Sequence, residues 1–216
     1  MSRGAVFFDV DGTLVPGTSS GQHLAGLLGH VAALREAEAA YDAGTMTNQE
    51  ASVIDARGWT GRTPAEVTAY LAGLPLVTGI DATVAWCRAH NLVPFLATLA
   101  WDVVGADLCR RFGFARACGP SLEVVRGSYT GRVLTHFDEW GKRDFARSAA
   151  AALGLDLSHC AAVGDSRSDL PLFADTGFSV AFNATPAARA AASARADGPD
   201  LRAVLPHLEH WLTTSS

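Results

Sequence analysis

The stretch "AVFFDVDGTLV", residues 5–15, joins an apolar run to two carboxylates one residue apart. An unbroken apolar run is typical of a strand that is buried in a parallel sheet. Alternate residues of an extended chain point the same way, so Asp9 and Asp11 face each other where the strand ends. Like charges this close destabilise a fold unless a cation or a hydrogen-bond network offsets them. A polar loop that turns at Gly12 would explain one Asp-Gly pair, but two aspartates after a buried strand indicate more.

Length and composition restrict the class of protein. The 216 residues suffice for one full-sized domain with an insertion, and 49% hydrophobic residues are typical of a globular chain. A net charge of −5 argues against nucleic-acid binding through a broad basic surface. We expect no membrane contact, because no apolar run is long enough to span a bilayer and no signal-peptide pattern follows Met1. Four cysteines without C-x-x-C spacing indicate reduced thiols in a cytoplasmic protein.

Short apolar runs alternate with helical patterns, which predicts an α/β fold: a three-layer α/β/α, Rossmann-like core around a parallel sheet. The predicted strands are residues 5–8, 92–97, 114–118, 160–164 and 178–182, and Pro94 weakens the second because proline cannot donate to a ladder. The predicted core helices are residues 80–90, 103–112, 142–153, 167–174 and 201–212. An alanine-rich stretch, residues 184–196, reads as a further helix.

Residues 18–78 interrupt this alternation, since they contain no convincing strand. Residues 21–44 read as one long amphipathic helix that ends near Gly44. Thr47 with Glu50, and Thr63 with Glu66, have the spacing of capping boxes that open two further helices. We therefore predict an all-helical cap domain of residues 18–78, inserted into a catalytic core of residues 1–17 and 79–216. Residues 121–137 read as a hairpin.

Polar residues follow or precede the other core elements. Thr98 follows the second strand, Lys142 opens a helix, and Asp165 and Asp169 follow the fourth strand in "GDSRSD". Parallel sheets place ligand sites at the carboxyl ends of their strands, where these side chains would meet Asp9 and Asp11. Several carboxylates with one lysine suit a hard divalent cation, and oxygen ligands favour Mg²⁺. Taken singly, Thr98 could end a strand, Lys142 could be solvated and Asp165 could cap a helix.

These four blocks, in this order, resemble the motifs of the haloacid dehalogenase-like (HAD) phosphatase superfamily. "DVDGT" matches its D-x-D-x-T motif, Thr98 its Ser/Thr motif, Lys142 its lysine motif and "GDSRSD" its G-D-x-x-x-D motif. The helical insertion, the hairpin and the spacing from Lys142 to Asp165 look like the phosphoserine-phosphatase branch.

The resemblance implies a phosphomonoester hydrolase with Mg²⁺ as cofactor. It makes Asp9 the nucleophile that forms an aspartyl-phosphate, and Asp11 the general acid and base. Thr98, Lys142 and the Leu99 backbone N–H would hold the phosphoryl oxygens. Asp9, the Asp11 backbone carbonyl and Asp165 would ligate the metal, while Asp169 would orient its waters or Lys142.

The expected substrate is a small phosphorylated metabolite, and at two positions the chain departs from the phosphoserine-phosphatase branch. An acidic cap residue of that branch, which pairs with the substrate's ammonium, corresponds here to Thr18, and an arginine for the substrate's carboxylate corresponds to Asp55. A sugar or polyol phosphate is therefore the first expectation and phosphoserine the alternative. The candidate specificity residues are Thr18, Ser19, Ser20, Gln22, His23 and Arg57.

Three rival functions remain at this stage. A phosphotransferase or mutase of the same superfamily would share all four motifs. A dehalogenase is disfavoured by Asp11, because carbon–halogen hydrolysis has no alkoxide to protonate. A catalytically silent binding protein would be expected to lack a motif residue, and none is missing. The sequence gives no prediction of oligomeric state.

Overall fold

The computed structural model describes residues 2–214 and contains two sheets. The strands are β1 (Gly4–Phe8), β2 (Leu92–Leu96), β3 (Ser121–Val125), β4 (Ser128–Thr135), β5 (Cys160–Gly164), β6 (Phe178–Phe182) and β7 (Ala194–Ala196). Five of them form a parallel sheet in the order β2-β1-β5-β6-β7, and β3 pairs with β4 in a separate antiparallel hairpin. The predicted parallel α/β core and the predicted hairpin are confirmed.

Strand β1 is buried on both faces, which explains its unbroken apolar run. Ala5 and Phe7 pack into one hydrophobic cluster, while Val6 and Phe8 pack into the cluster on the opposite face. Full burial of one phenylalanine side chain contributes roughly 1.5–3 kcal/mol, so this strand anchors both layers of the core.

Within the described residues, ten α-helices cover the sheet and fill the insertion between β1 and β2. They are α1 (Ser20–Leu28), α2 (Val31–Asp42), α3 (Asn48–Arg57), α4 (Pro64–Tyr70), α5 (Ile80–Ala89), α6 (Asp102–Phe112), α7 (Glu139–Ala152), α8 (Leu170–Asp175), α9 (Pro186–Ala191) and α10 (Leu205–Thr214). Short 3₁₀ turns at Leu71–Gly73, Leu157–His159, Arg167–Asp169 and Leu201–Val204 accompany them. The predicted helices 167–174 and 201–212 therefore each begin as a 3₁₀ turn.

The first helix of the insertion is shorter than predicted. Residues 21–44 form two helices, α1 and α2, because Gly29 takes a left-handed φ of 94° and ends α1. Only glycine adopts this conformation without a steric cost. Both predicted capping boxes, at Thr47 and Thr63, are confirmed.

Two predictions at the edges of the sheet are wrong. Residues 114–118 are not a strand: they run beside edge strand β2, and Ala115 N–H donates to the Pro94 carbonyl. Proline is tolerated in β2 because this strand lies at the sheet edge. The alanine-rich stretch contains only the short helix α9, and its end pairs with β6 as strand β7.

The insertion packs against the core through a cluster of aromatic rings. Trp59 is fully buried and lies two residues after the end of α3. Its ring makes edge-to-face contacts with Trp101 of the core and Tyr129 of the hairpin, with ring centroids 5.8 Å and 5.2 Å away. Such pairs contribute about 0.5–1.5 kcal/mol each beyond the burial of area. That residues 18–78 constitute a separate cap domain stays a prediction. Within residues 2–214 no helix is long and apolar enough to cross a bilayer.

Candidate active site

The register of the sheet brings three motif residues to one edge. Phe8 lies opposite Leu96 of β2 on one side and Val163 of β5 on the other. Asp9 directly follows Phe8, Thr98 lies two residues beyond Leu96, and Asp165 lies two residues beyond Val163. The parallel strands therefore end together, as the sequence predicted.

Lys142 lies beneath this edge and bridges two carboxylates. Its Nζ donates to Asp9 Oδ1 at 2.7 Å and to Asp169 Oδ1 at 2.5 Å, and the side chain is fully buried. Asp138, four residues before Lys142, caps the N-terminus of α7 and fixes where the helix begins. This start places Lys142 on the buried face of the helix. Burial opposes the ammonium charge, yet Asp169 and Asp9 together raise the pKa of Lys142 above its usual value. Lys142 is the chain's single lysine beside sixteen arginines. Because its side chain is fully buried, it is not a solvated surface residue.

Asp9, Asp165 and Asp169 form a carboxylate cluster in which each offers an oxygen within 4.8 Å of the others. Burial raises the pKa of Asp9 to about 7, against the attraction of Lys142. Burial, followed by the charges of Asp9 and Asp169, raises the pKa of Asp165 to about 9. The buried Asp165 Oδ1 atom has no hydrogen-bond partner among the described residues. Ser166, and not Asp165, caps the turn that follows. A buried, unpaired acceptor in a set of oxygen donors fits a divalent cation.

Two glycines allow the motif loops to approach this cluster. A Cβ at Gly12 would overlap the Asp165 carboxylate, and one at Gly164 would overlap that of Asp169. Asp169 also accepts backbone hydrogen bonds from Asp165 at 2.9 Å and Ser166 at 3.1 Å through its Oδ2. Asp169 thereby fixes both Lys142 and the loop that carries Asp165, which agrees with an orienting position.

Asp11 connects the core to the insertion. The backbone N–H of Ser20, the first residue of α1, donates to Asp11 Oδ1 at 2.6 Å. Burial raises the pKa of Asp11, and the Ser20 hydrogen bond opposes that shift. A raised pKa favours the protonated form that a general acid requires.

A cavity of about 540 Å³ lies between the carboxyl edge of the sheet and the insertion. The structure places most predicted site residues on its wall, namely Asp9, Asp11, Thr18, Ser19, Ser20, Gln22, Thr98, Leu99 and Asp165. Lys142 and Asp169 are buried beside Asp9. The Thr98 hydroxyl accepts from the Ala100 N–H at 3.0 Å and is almost fully buried.

Two predicted specificity residues are not brought to this cavity. His23 Nε2 lies 2.9 Å from the Tyr70 carbonyl oxygen, within the insertion. Arg57 is exposed at the end of α3, whereas Asp55, two residues earlier, faces the cavity. Side chains two residues apart on a helix differ in direction by about 200°, so Arg57 and Asp55 lie on different faces of α3.

Glu38 and Asp55 line the cavity from the insertion. The sequence alone does not identify Glu38 as a site residue, and it indicates Asp55 only as the replacement of an arginine. Glu38 accepts from the Ser19 hydroxyl at 2.6 Å and from the Gln22 amide. Asp55 accepts from Trp101 Nε1 at 2.6 Å and from Trp59 Nε1 at 3.2 Å, and lies 2.6 Å from His30 Nε2. We call Ser20, Glu38 and Asp55 the insert wall, and Asp9, Lys142, Asp165 and Asp169 the core wall.

The chain matches the family model of the haloacid dehalogenase-like hydrolases over residues 6–174. It therefore belongs to this family, and its relatives place it in the phosphoserine-phosphatase-like branch. "Phosphoserine phosphatase" of Streptomyces coelicolor is 35% identical over 62% of this chain and 37% of its own length. "Phosphoserine phosphatase SerB1" of Mycobacterium tuberculosis is 31% identical over 92% of this chain and 70% of its own length. This chain thus spans little more than a third of the Streptomyces protein.

A solved structure has the same fold. "Phospho-Aspartyl Intermediate Analogue of Phosphoserine phosphatase" superposes with a TM-score of 0.86 at 21% identity, over 96% of this chain and 99% of that one. At this identity the likeness concerns the fold alone.

Proposed function

We propose that this protein is a Mg²⁺-dependent phosphomonoesterase that forms an aspartyl-phosphate on Asp9. The observation that carries the proposal is the placement of Asp9: a buried carboxylate at the cavity floor, held by Lys142 and clustered with Asp165. A structural role does not require a carboxylate at this position, whereas formation of an aspartyl-phosphate does.

The chain's own groups supply the steps. An Asp9 oxygen attacks phosphorus, the bond from phosphorus to the ester oxygen breaks, and Asp11 gives its proton to the departing alkoxide. Asp11 then takes a proton from a water that attacks phosphorus, which releases phosphate and restores Asp9. Asp9, the Asp11 backbone carbonyl and Asp165 would hold Mg²⁺, which when bound stabilises negative charge on the phosphoryl oxygens.

Phosphate recognition falls to groups at the ends of β2 and in α7. The Thr98 hydroxyl and the Leu99 backbone N–H lie on the cavity wall and would donate to the phosphoryl oxygens. Lys142 balances the charge of Asp9 before the reaction and that of the phosphoryl group after transfer.

The substrate class is part of this proposal. The relatives' names support phosphoserine, the alternative from the sequence, better than a sugar or polyol phosphate. We propose a small phosphorylated metabolite and take phosphoserine as the first compound to assay. We also propose that residues 18–78 act as a cap over the site. A cytoplasmic location is supported by the four free cysteines.

Release of phosphate from p-nitrophenyl phosphate and from phosphoserine, with Mg²⁺ and with a chelator, tests this function. We expect turnover that disappears with the chelator and returns with added Mg²⁺, and poor replacement by Ca²⁺, which accepts more ligands in looser geometry. Asp165→Asn should weaken the response to Mg²⁺. Full activity in the chelator would refute the metal assignment, and phosphate that reappears on a second position of the substrate would indicate a mutase.

A further inference from the structure

The charges of the insert wall point to a particular substrate class. Glu38 lies on the cavity wall with two neutral donors, the Ser19 hydroxyl and the Gln22 amide. Both donors are neutral, and among the described residues no cationic side chain forms an ion pair with Glu38. Arg35 is held on the far side of Gln22, where its Nε donates to the Gln22 Oε1 at 3.2 Å. A half-buried carboxylate of this kind attracts a cation strongly, because water screens it less than a surface group.

Cationic side chains are scarce around this space. Among the described residues that line the cavity, Arg167 is the sole one with a cationic side chain. Its guanidinium donates to the Tyr41 carbonyl oxygen, lies 3.7 Å from Glu139 Oε1 and stacks on the Tyr41 ring. Burial raises the pKa of Glu38, and the negative charges of Asp11 and Asp55 raise it further.

Unsatisfied hydroxyls are a second, independent observation on the same wall. Ser20 is 1% exposed, and its hydroxyl makes no hydrogen bond of normal geometry among the described residues, although it lies close enough to Asp11 to oppose the rise in the pKa of that carboxyl. Tyr41 also lines the cavity, and within residues 2–214 its hydroxyl has no hydrogen-bond partner. A primary ammonium has several N–H donors, so it can donate to a carboxylate and to a hydroxyl oxygen at once.

We infer that the substrate is a phosphomonoester with a protonated amine and without a carboxylate, that is, a phosphorylated amino alcohol, and that Glu38 is its specificity-determining residue. This inference rests on the proposed phosphatase function. A substrate carboxylate would face Asp11, Glu38 and Asp55. Arg167, the one cationic side chain among the described residues that line the cavity, already has acceptors. Phosphoserine carries the favoured amine together with the disfavoured carboxylate.

Three phosphate esters separate these contributions: O-phosphoethanolamine, O-phosphoserine and glycerol 3-phosphate. We expect the highest kcat/KM for O-phosphoethanolamine. In Glu38→Gln the ratio of kcat/KM for O-phosphoethanolamine to that for glycerol 3-phosphate should fall about ten- to a hundredfold, the worth of a charge-assisted hydrogen bond. The matched control is Asp42→Asn, which removes an exposed acid on the same cavity and should leave that ratio unchanged.

Two outcomes would overturn the inference. One is an equal loss for both esters in Glu38→Gln, which would assign Glu38 to the packing of α1 on α2. The other is a higher kcat/KM for phosphoserine or for glycerol 3-phosphate than for O-phosphoethanolamine in the wild type. Hydrolysis of p-nitrophenyl phosphate serves as the reference: if it fails, the phosphatase function itself is wrong, whereas if it proceeds, only the substrate class is in question.

Competition in the wild-type protein gives a test that needs no variant. Ethanolamine should raise the KM for p-nitrophenyl phosphate at concentrations where glycerol has no effect, with kcat unchanged. Equal, weak inhibition by the two alcohols would contradict an amine-binding wall.

Discussion

The two walls of the cavity balance their buried charges in different ways. On the core wall, Lys142 bridges Asp9 and Asp169, and an Asp165 oxygen that has no partner among the described residues faces the proposed cation site. On the insert wall, Glu38 has neutral donors, and Asp55 has two indole N–H groups and His30. The charges of the core wall thus fit the proposed phosphoryl transfer, while the excess of negative charge on the insert wall fits the proposed selection of an amine.

This difference predicts that substitutions on the core wall abolish chemistry for every substrate. Asp9→Asn has the largest expected effect, a loss of more than about four orders of magnitude in kcat, because an amide is no nucleophile. The side chain is nearly isosteric and its carbonyl oxygen can still accept from Lys142, so circular dichroism should show an unchanged fold. Turnover near the wild-type rate by a folded variant would show that Asp9 is not the nucleophile.

Asp11 lies between the two walls, and its substitution sharpens the comparison. Asp11→Asn should lower kcat for alkyl phosphates roughly a hundred- to ten-thousandfold, the range of general acid–base catalysis. The loss should be smaller for p-nitrophenyl phosphate, because its leaving group needs no proton. Equal losses for both leaving groups would argue that Asp11 does not protonate the alkoxide.

Removal of the buried cation tests the charge balance of the core wall through stability. Lys142→Met leaves Asp9 and Asp169 buried without their partner, and we expect a loss of about 3–5 kcal/mol in the free energy of unfolding. The control is Arg147→Met on the same helix, whose exposed ion pair with Asp175 should contribute at most about 1 kcal/mol. Urea unfolding of both variants gives the comparison, and similar losses would contradict a buried, charge-balancing lysine.

The smallest expected effect concerns the contact between core and insertion. Trp101→Phe removes one indole donor from Asp55 and should cost about 1.5–3 kcal/mol of stability, as for other hydrogen bonds to charged groups. Trp140→Phe, at a residue that is 54% exposed, is the matched control and should be neutral. Thermal unfolding measures both, and equal melting temperatures would show that the Trp101–Asp55 hydrogen bond contributes nothing.

The two walls also differ in how far the sequence could predict them. Asp9, Thr98 and Asp165 each follow a strand, and parallel strands end at one edge, so chain order alone brings them together. Glu38 has no such signal: the break at Gly29 sets where α2 begins, and therefore which of its acids faces the cavity. Asp55 depends on Trp101, a partner 46 positions away, and on the packing of the insertion against the core.

The same argument explains the errors at the sheet edges. Residues 114–118 have a strand-like apolar pattern and do form backbone hydrogen bonds with edge strand β2, but the pairing amounts to a single bridge between Leu96 and Ala117 and not to a regular strand. Residues 194–196 have a helix-like composition, yet the open edge of β6 recruits them as β7. At residues 194–196 tertiary hydrogen bonding therefore overrides local propensity, and local sequence patterns do not contain this information.

The central claim is that Asp9 carries the phosphoryl group during turnover. Wild-type protein mixed with a substrate and Mg²⁺, quenched in acid within a turnover and digested, should yield a peptide containing Asp9 that has gained the mass of one phosphoryl group. The modification should be absent without Mg²⁺ and absent in Asp9→Asn, and hydroxylamine should remove it as it does other acyl phosphates. Turnover without any phosphorylated peptide, or a phosphoryl group on another residue, would contradict the account.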